Sequence, residues 1–468
     1  MTKHIAILGG GPAGYVAASH AAALGARVSL IDPHPLGGTC LHRGCIPTKT
    51  LVEVCNLLDK VRRAESYGLN IGGPIEADWP RIRDKAGRVI STLGRGIDGL
   101  MADRKVEHIQ GYGRVVDGHT VSVDGVGTIQ ADAVLISTGS SPIRPASFAV
   151  DGDLIATSDD LLRWDALPRS LLIVGDGVVA CEYAFIMQSL GVEVTMAAMG
   201  DRPLPFLDHE IAAVVGREMR KRGIEFLDSA AVERLSIESN GVTAYVEGRV
   251  HAVAERALVA IGRRANSAGM GLEEAGVRLG GRGEISTDGF MRTNLDGLYA
   301  VGDVNGRLAL AHAASAQARL AVDHALELEP EELNEEIIPW AVFTMPEIGS
   351  VGLSEQAARA QGHTISCGRF DMRGLGKAQA MGELTGMAKV VADRISGRLL
   401  GLHLIGAHAS DMVHEGAVLM RQGATVHAIA HTVHAHPTLS EAILEAAEDC
   451  LGQAVHKPMK REEIHHVS

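Results

Sequence analysis

The 468-residue chain has no hydrophobic run long enough to span a bilayer, which excludes a membrane-spanning helix by the usual length criterion. No signal-peptide pattern opens it either, since MTKHIAILGG passes directly into a strand-like pattern. Both absences lead to the expectation of a soluble, cytoplasmic protein without membrane attachment. Cysteine is scarce, at six residues (40, 45, 55, 181, 367 and 450), too few to form a disulfide framework in a chain of this size. In a reducing compartment, a functional cysteine pair would be catalytic. No low-complexity linker interrupts the pattern, so the domains should pack tightly. Positive charge is also in deficit, with a formal net charge of -13, and this disfavours nucleic acid as a partner.

What the chain does have is hydrophobic content of 46%, enough to bury large cores and to divide into about three domains. The segment HIAILGGGPAGYVAASHAAALGARVSLID gives an apolar strand, a turn at Gly9, Gly11 and Gly14, an alanine-rich helix, and a second strand ending at Asp32. Glycines there let the backbone and the helix N-terminus approach a pyrophosphate, while the acid takes ribose hydroxyls. The pattern recurs in SLLIVGDGVVACEYAFIMQSLGVEVTMAAMGDR, with a turn at Gly175, Gly177 and Ala180, so two dinucleotides are expected. The second copy has Ala198 where the first has Asp32. Asp201 and Arg202 follow nearby, one suited to a ribose and the other to a 2'-phosphate, which leaves NAD against NADP open. Residues 50–105 read as helical, and GYGRVVDGHTVSVDGVGTIQADAVLIS reads as short strands with Asp-Gly turns.

The stretch GGTCLHRGCIPTK places Cys40 and Cys45 five residues apart. On a regular helix that step advances about 7.5 Å and turns about 140°, leaving the Cα atoms roughly 9 Å apart, beyond disulfide reach. A pair here requires distorted or looped backbone, which Gly37, Gly38, Gly44 and Pro47 permit. From these residues alone the cysteines read as a redox pair, as part of a zinc site with His42, or as neighbouring buried thiols. Cys55, Cys181, Cys367 and Cys450 sit singly in apolar patterns and read as small buried hydrophobes.

GGGPAG, GGTCLHRGCIPTK, GDGVVACE, ALVAIGRR, LYAVGDV, FTMPEIGSVG and HAHPTLSEAILEAAE occur in one order along residues 3 to about 458. In this the chain resembles the pyridine nucleotide disulfide oxidoreductases, and most closely their branch that oxidises dihydrolipoyl groups. The resemblance implies an α/β fold with two Rossmann-like dinucleotide-binding domains and a C-terminal α+β dimerisation domain. Its boundaries would be 1–145 and 266–336 for the FAD-binding parts, 146–265 for the NAD(P) domain and 337–468 for the interface domain. It implies FAD and NAD as cofactors and no metal. It also implies a homodimer, and a lipoylated carrier protein or small dithiol as substrate.

By the same resemblance, Cys40 is the interchange thiol and Cys45 the thiol beside the flavin, with Arg43 a candidate charge for lowering their pKa values. His436 and Glu441 form the acid-base pair, reaching the site from the other subunit. Gly9, Gly11, Gly14 and Asp32 hold the adenosine half of FAD, with Thr39 near its pyrophosphate. Gly113, Asp303 and Ala311 make further FAD contacts, and Lys49 lies near the flavin, paired with Glu182. Gly175, Gly177 and Glu182 belong to the nicotinamide side. Glutathione-type reductases share the cysteines and the HPT motif, but HAHPTLSE and the absence of an arginine cluster after Met196 lean away from them. Having only Cys450 after Glu445 speaks against mercuric reductases, and Cys40 with Cys45 speaks against flavin transhydrogenases. A flavin-bearing redox-sensing or structural subunit is the non-enzymatic alternative.

Overall fold

The computed structural model describes residues 2–457, which form two compact units. The first comprises residues up to Gly175, Ser189–Glu193 and Val232–Leu333, and the second Asp176–Gln188, Val194–Ala231 and the chain from Asn334 onward.

The first unit is built on a parallel sheet. Strands β1 (His4–Leu8), β2 (Arg27–Ile31) and β3 (Glu107–Ile109) pair in that order on one side, and β7 (Ala133–Ile136) and the strand Leu298–Ala300 complete the other. Side chains alternate across such a sheet, so Ile5 and Ile7 enter one core while Ala6 and Leu8 enter another. Each fully buried Ile or Leu contributes about 1.5–3 kcal/mol relative to exposure. Helix α1 (Pro12–Ala23) and the helix Ala311–Ala325 share the first face. Ala17, Ala18, Ala21, Ala314, Ala318 and Ala321 lie in this core, and small side chains there let the two helices approach closely. The opposite face is covered by an antiparallel meander of β4 (Gly113–Asp117), β5 (Thr120–Val123) and β6 (Gly127–Gln130), turned at Asp117-Gly118 and Asp124-Gly125 as the sequence suggests.

The region expected to be helical divides into α2 (Gly38–His42), α3 (Cys45–Arg62) and α4 (Trp79–Asp103). A non-helical stretch containing Gly68, Gly72, Gly73 and Pro74 separates α3 from α4, because these residues propagate a helix poorly. The parallel strands Ile155–Thr157, Ser170–Val174 and Arg256–Val259 begin the second nucleotide fold within this unit.

The second unit takes up the chain at Asp176. The helix Val178–Ser189 leads to the parallel pair Glu193–Ala197 and Glu225–Leu227, with the helix His209–Lys221 between those strands. Its C-terminal part is an antiparallel five-stranded sheet ordered Trp340–Val342, Ile348–Gly352, Leu399–Ile405, Met387–Asp393 and Ile365–Asp371. The helices Ala409–Arg421 and Glu441–Cys450 bury their apolar faces against it.

A charged cluster lies inside this unit. The fully buried Lys389 ammonium reaches Asp208 Oδ2 at 2.9 Å, Glu210 Oε2 at 2.5 Å and Glu355 Oε2 at 2.8 Å. Arg369 binds Glu210 and Glu355 from the neighbouring strand. Asp208 also caps the helix His209–Lys221 through Glu210 N and accepts Glu355 N. Burial of Asp208 and Glu355 raises their carboxyl pKa values, but His403 and Lys389 at Asp208, and Lys389 with Arg359 and Arg369 at Glu355, outweigh it and hold both low, Glu355 at about 2.

Candidate active site

The chain breaks between the two cysteines. Helix α2 ends at His42, Arg43 and Gly44 leave helical geometry, and Cys45 begins the 18-residue α3, so the pair straddles a kink. Thr48 anchors the new helix, its hydroxyl donating to Gly44 O at 2.7 Å. With the backbone redirected, the Cys40 and Cys45 side chains meet in a hydrogen bond. That bond, followed by burial and the charge of Cys45, pushes the Cys40 thiol up, while Lys49 pulls the other way. Ionising Cys40 would set its negative charge directly beside the Cys45 sulfur. Cys45 stands at the N-terminus of a long helix, where exposed amides favour a thiolate.

Arg43 turns to Asp159 instead, 3.5 Å from its Oδ2, and Lys49 is the cation acting on Cys40. His42, which a zinc site would need, has Nε2 2.9 Å from Leu36 O. Tyr15 of α1 is a neighbour the sequence reading missed. Burial first, then the nearby Cys40 charge, raises its hydroxyl pKa. The only sequence signal was its place directly after the first glycine turn.

Of the four single cysteines, Cys55 and Cys181 are fully buried, as expected. Cys367 and Cys450 are only partly buried, which corrects the expectation for those two: their strand and helix lie near the sheet margin. Burial still dominates at Cys367 and pushes its thiol up to about 11.

The first glycine turn has two kinds of glycine. Gly9 has φ +104°, and a Cβ on Gly14 would lie 1.7 Å from Gly9 O, so protein packing alone demands both. A Cβ on Gly11 would meet nothing closer than 3.9 Å. The open space there, at the N-terminus of a 12-residue helix, suits a pyrophosphate. Asp32 directly follows β2 and accepts Gly10 N at 2.5 Å and His34 N at 2.8 Å, which fixes its carboxylate beside the turn. Thr39 lies in α2, and Ala311 opens the helix Ala311–Ala325. Gly113 opens β4, where a Cβ would lie 2.4 Å from a methyl of Leu8. Asp303 follows the strand Leu298–Ala300 and accepts Ser140 Oγ at 2.5 Å, with Arg263 Nε 3.9 Å away. The open turn at Gly11 and the placed Asp32 carboxylate fit a flavin dinucleotide on geometry and donor chemistry, whereas Gly113 is required by packing against Leu8.

The second turn repeats the arrangement with changes. Gly175 has φ +132°, and a Cβ on Gly177 would meet nothing within 4 Å. Ala180 is fully buried in the position of Gly14. Glu182 is 3% exposed, and its Oε1 accepts Phe343 N at 2.9 Å. Ala198 is 1% exposed and held by backbone bonds to Leu227 O and from Ala230 N. The glycine turn therefore fits a second dinucleotide, although strand-end position 198 has no acid to offer.

Near the C-terminus, His436 Nδ1 lies 2.8 Å from Glu441 Oε1, and Glu441 Oε2 accepts Thr438 N at 2.9 Å. Burial alone would raise the Glu441 carboxyl, but the His436 and Thr438 hydrogen bonds hold it below its ordinary range. With Nδ1–H directed at this carboxylate, Nε2 is the nitrogen able to accept a proton. The His436 side chain is 75% exposed. His434 faces elsewhere: its side chain is 6% exposed and its Nε2 lies 3.1 Å from Glu415 Oε1.

Comparison with known proteins places these features. The family model described as pyridine nucleotide-disulphide oxidoreductase matches residues 3–318, and the model of that family's dimerisation domain matches residues 338–447. A dihydrolipoyl dehydrogenase of Bacillus subtilis is 37% identical over 470 residues, covering 97% of this chain and 98% of its own. A dihydrolipoyl dehydrogenase of Chlamydia pneumoniae is 37% identical over 456 residues with the same coverage. Among solved structures, LpdA of Mycobacterium tuberculosis superposes with a TM-score of 0.90 at 31% identity, covering 96% of this chain and 99% of its own. The HOCl-induced flavoprotein disulfide reductase RclA of Escherichia coli gives 0.85 at 26% identity, covering 95% and 99%.

Proposed function

The chain belongs to the pyridine nucleotide-disulphide oxidoreductases, and from that membership we propose that it is a dihydrolipoyl dehydrogenase using FAD and NAD. Residues 1–145 and 266–336 would hold FAD and 146–265 the nicotinamide dinucleotide, with 337–468 as the interface of a homodimer. Its substrate is a dihydrolipoyl group on a carrier protein or a small dithiol, and its compartment is the cytoplasm. The observation that carries this reading is the contact of Cys40 and Cys45 across the α2–α3 kink, where a disulfide can open and close.

The chemistry balances as two thiol exchanges. A substrate thiol gives its proton to Nε2 of His436 of the partner subunit, and the resulting thiolate attacks Cys40 in the Cys40–Cys45 disulfide. The Cys40–Cys45 bond breaks, and Cys45 departs as a thiolate at the N-terminus of α3. The second substrate thiol then attacks the mixed disulfide, so the substrate leaves as a disulfide and the cysteines remain reduced. When bound, FAD supplies the acceptor for that electron pair and NAD the final hydride acceptor. Glu441 keeps the imidazole in the tautomer that can take the proton and stabilises it afterwards. Exposure of His436 at 75% and of Val433 at 95% in the single chain favours a second copy over this segment. Gly9, Gly11, Gly14, Asp32, Thr39, Gly113, Asp303 and Ala311 form the FAD cradle. Lys49 would lie at the flavin, with Gly175, Gly177 and Glu182 on the nicotinamide side.

The test is to purify the protein, record its visible spectrum, and follow dihydrolipoamide oxidation with NAD and with NADP. Bound FAD, turnover with NAD and loss of turnover in Cys45→Ser are the expected results. Flavin-free protein, or full activity in Cys45→Ser, would overturn the reading.

A further inference from the structure

The two glycine turns differ by an exchange of side chains. In the first, Gly10 and Asp32 face each other across 22 residues: Gly10 N donates to Asp32 Oδ2, and a Cβ on Gly10 would lie 3.2 Å from that same oxygen. The corresponding pair in the second turn is Asp176 and Ala198, separated by the same step. The glycine of the first turn has become the acid, and the acid of the first strand end has become alanine. We propose that Asp176 replaces the missing strand-end carboxylate, holding the adenosine-ribose hydroxyls of the nicotinamide dinucleotide and selecting NAD over NADP.

The geometry around Asp176 supports this. Its backbone carbonyl accepts Leu204 N at 2.8 Å, so the loop after Ala198 folds back on the turn. Its Oδ2 lies 3.1 Å from where a Cβ on Gly200 would stand, which aims the carboxylate at the flank of that loop. Asp32 spends its oxygens on two backbone amides, whereas the Asp176 carboxylate accepts no hydrogen bond from the described residues. An unspent carboxylate beside a glycine turn accepts from two vicinal hydroxyls and repels a 2'-phosphate. Arg202 is the opposing influence. Among the described residues its Nε is buried without a hydrogen-bond partner, and it lies 3.7 Å from Asp201 Oδ1. If Arg202 governs the site, a 2'-phosphate is preferred instead.

This inference rests on the proposed dehydrogenase reading, and its test separates the two. Calorimetric titration of the oxidised, FAD-loaded enzyme with ADP-ribose and with 2'-phospho-ADP-ribose measures binding without turnover. The wild type should bind ADP-ribose the more tightly. Asp176→Asn should weaken ADP-ribose about tenfold or more, the scale of lost hydrogen bonds to a charged group, without weakening the phosphorylated probe. The double substitution Asp176→Gly with Ala198→Asp recreates the first turn's arrangement and should restore most of the ADP-ribose affinity. Unchanged ADP-ribose binding in Asp176→Asn, or a wild-type preference for the phosphorylated probe, would overturn the inference. Anaerobic flavin reduction by dihydrolipoamide needs no nicotinamide. Its failure in the wild type would sink the dehydrogenase reading, while normal reduction with unchanged Asp176→Asn binding would sink only the assignment of Asp176.

Discussion

Replacing Lys389 with methionine removes the only ammonium inside the charged cluster and leaves Asp208 buried with no cation bonded to it. Asp208 would keep its bonds from Glu210 N and Glu355 N, which offset part of the loss. Glu355 and Glu210, 18% and 41% exposed, would regain water and cost little. The Asp208 term then dominates, at about 3–5 kcal/mol for a buried pair broken on one side. Hydrogen exchange read by mass spectrometry measures this locally, in the helix His209–Lys221 and the strand Met387–Asp393. Protection there should fall by roughly 10²–10⁴-fold at pH 7.

The pH dependence adds a sign. In the wild type, the low carboxyl pKa values of Asp208 and Glu355 give stability that is complete above about pH 5 and lost as pH falls through the folded values, about 2 for Glu355. In Lys389→Met the Asp208 carboxyl moves above its unfolded value, so the variant gains stability as pH falls from neutral. Its deficit against the wild type should narrow between pH 7 and 5. Protection within threefold of wild type at pH 7, or a deficit that does not narrow, would refute this account of the cluster.

Two further predictions concern the site. Gly14→Ala should yield protein that retains little FAD, because its Cβ would sit 1.7 Å from Gly9 O, whereas Gly11→Ala should fold normally and show only weakened flavin retention by ultrafiltration. His436→Gln should reduce dihydrolipoamide oxidation by about 10²–10⁴-fold, as removal of a general base does, and His434→Gln should stay within tenfold of wild type in the same assay.

The first glycine turn was legible because its parts are consecutive: strand, glycines, helix and acid follow one another within 30 residues. The cysteine kink was legible in part, since the helical step showed that Cys40 and Cys45 could pair only if the backbone between them left a straight helix. Contacts between distant positions were not. Arg43 stood beside the cysteines in sequence, but Asp159 draws its guanidinium away. The resemblance singled out His436 over His434, but the pairing of His434 with Glu415, 19 residues back, had no mark in the sequence. Ala198 read as a gap because the carboxylate proposed to replace it, Asp176, sits on the glycine turn 22 residues earlier. The Lys389 cluster, joining residues 181 positions apart at Asp208, left no periodic mark at all.

The strand Leu298–Ala300 pairs with β7, which ends at Ile136, so the flavin sheet is completed by chain made long after its other strands. At about 5–20 residues per second, the roughly 160 intervening residues take on the order of ten to thirty seconds to synthesise. Throughout that interval, the nascent chain displays the Ala133–Ile136 edge with open backbone donors and acceptors. Asp303 arrives immediately behind the closing strand. With the FAD role proposed for Asp303, flavin capture and protection of that edge would fall at nearly the same moment of biosynthesis, and a ribosome stalled before residue 298 would leave a fragment prone to edge pairing.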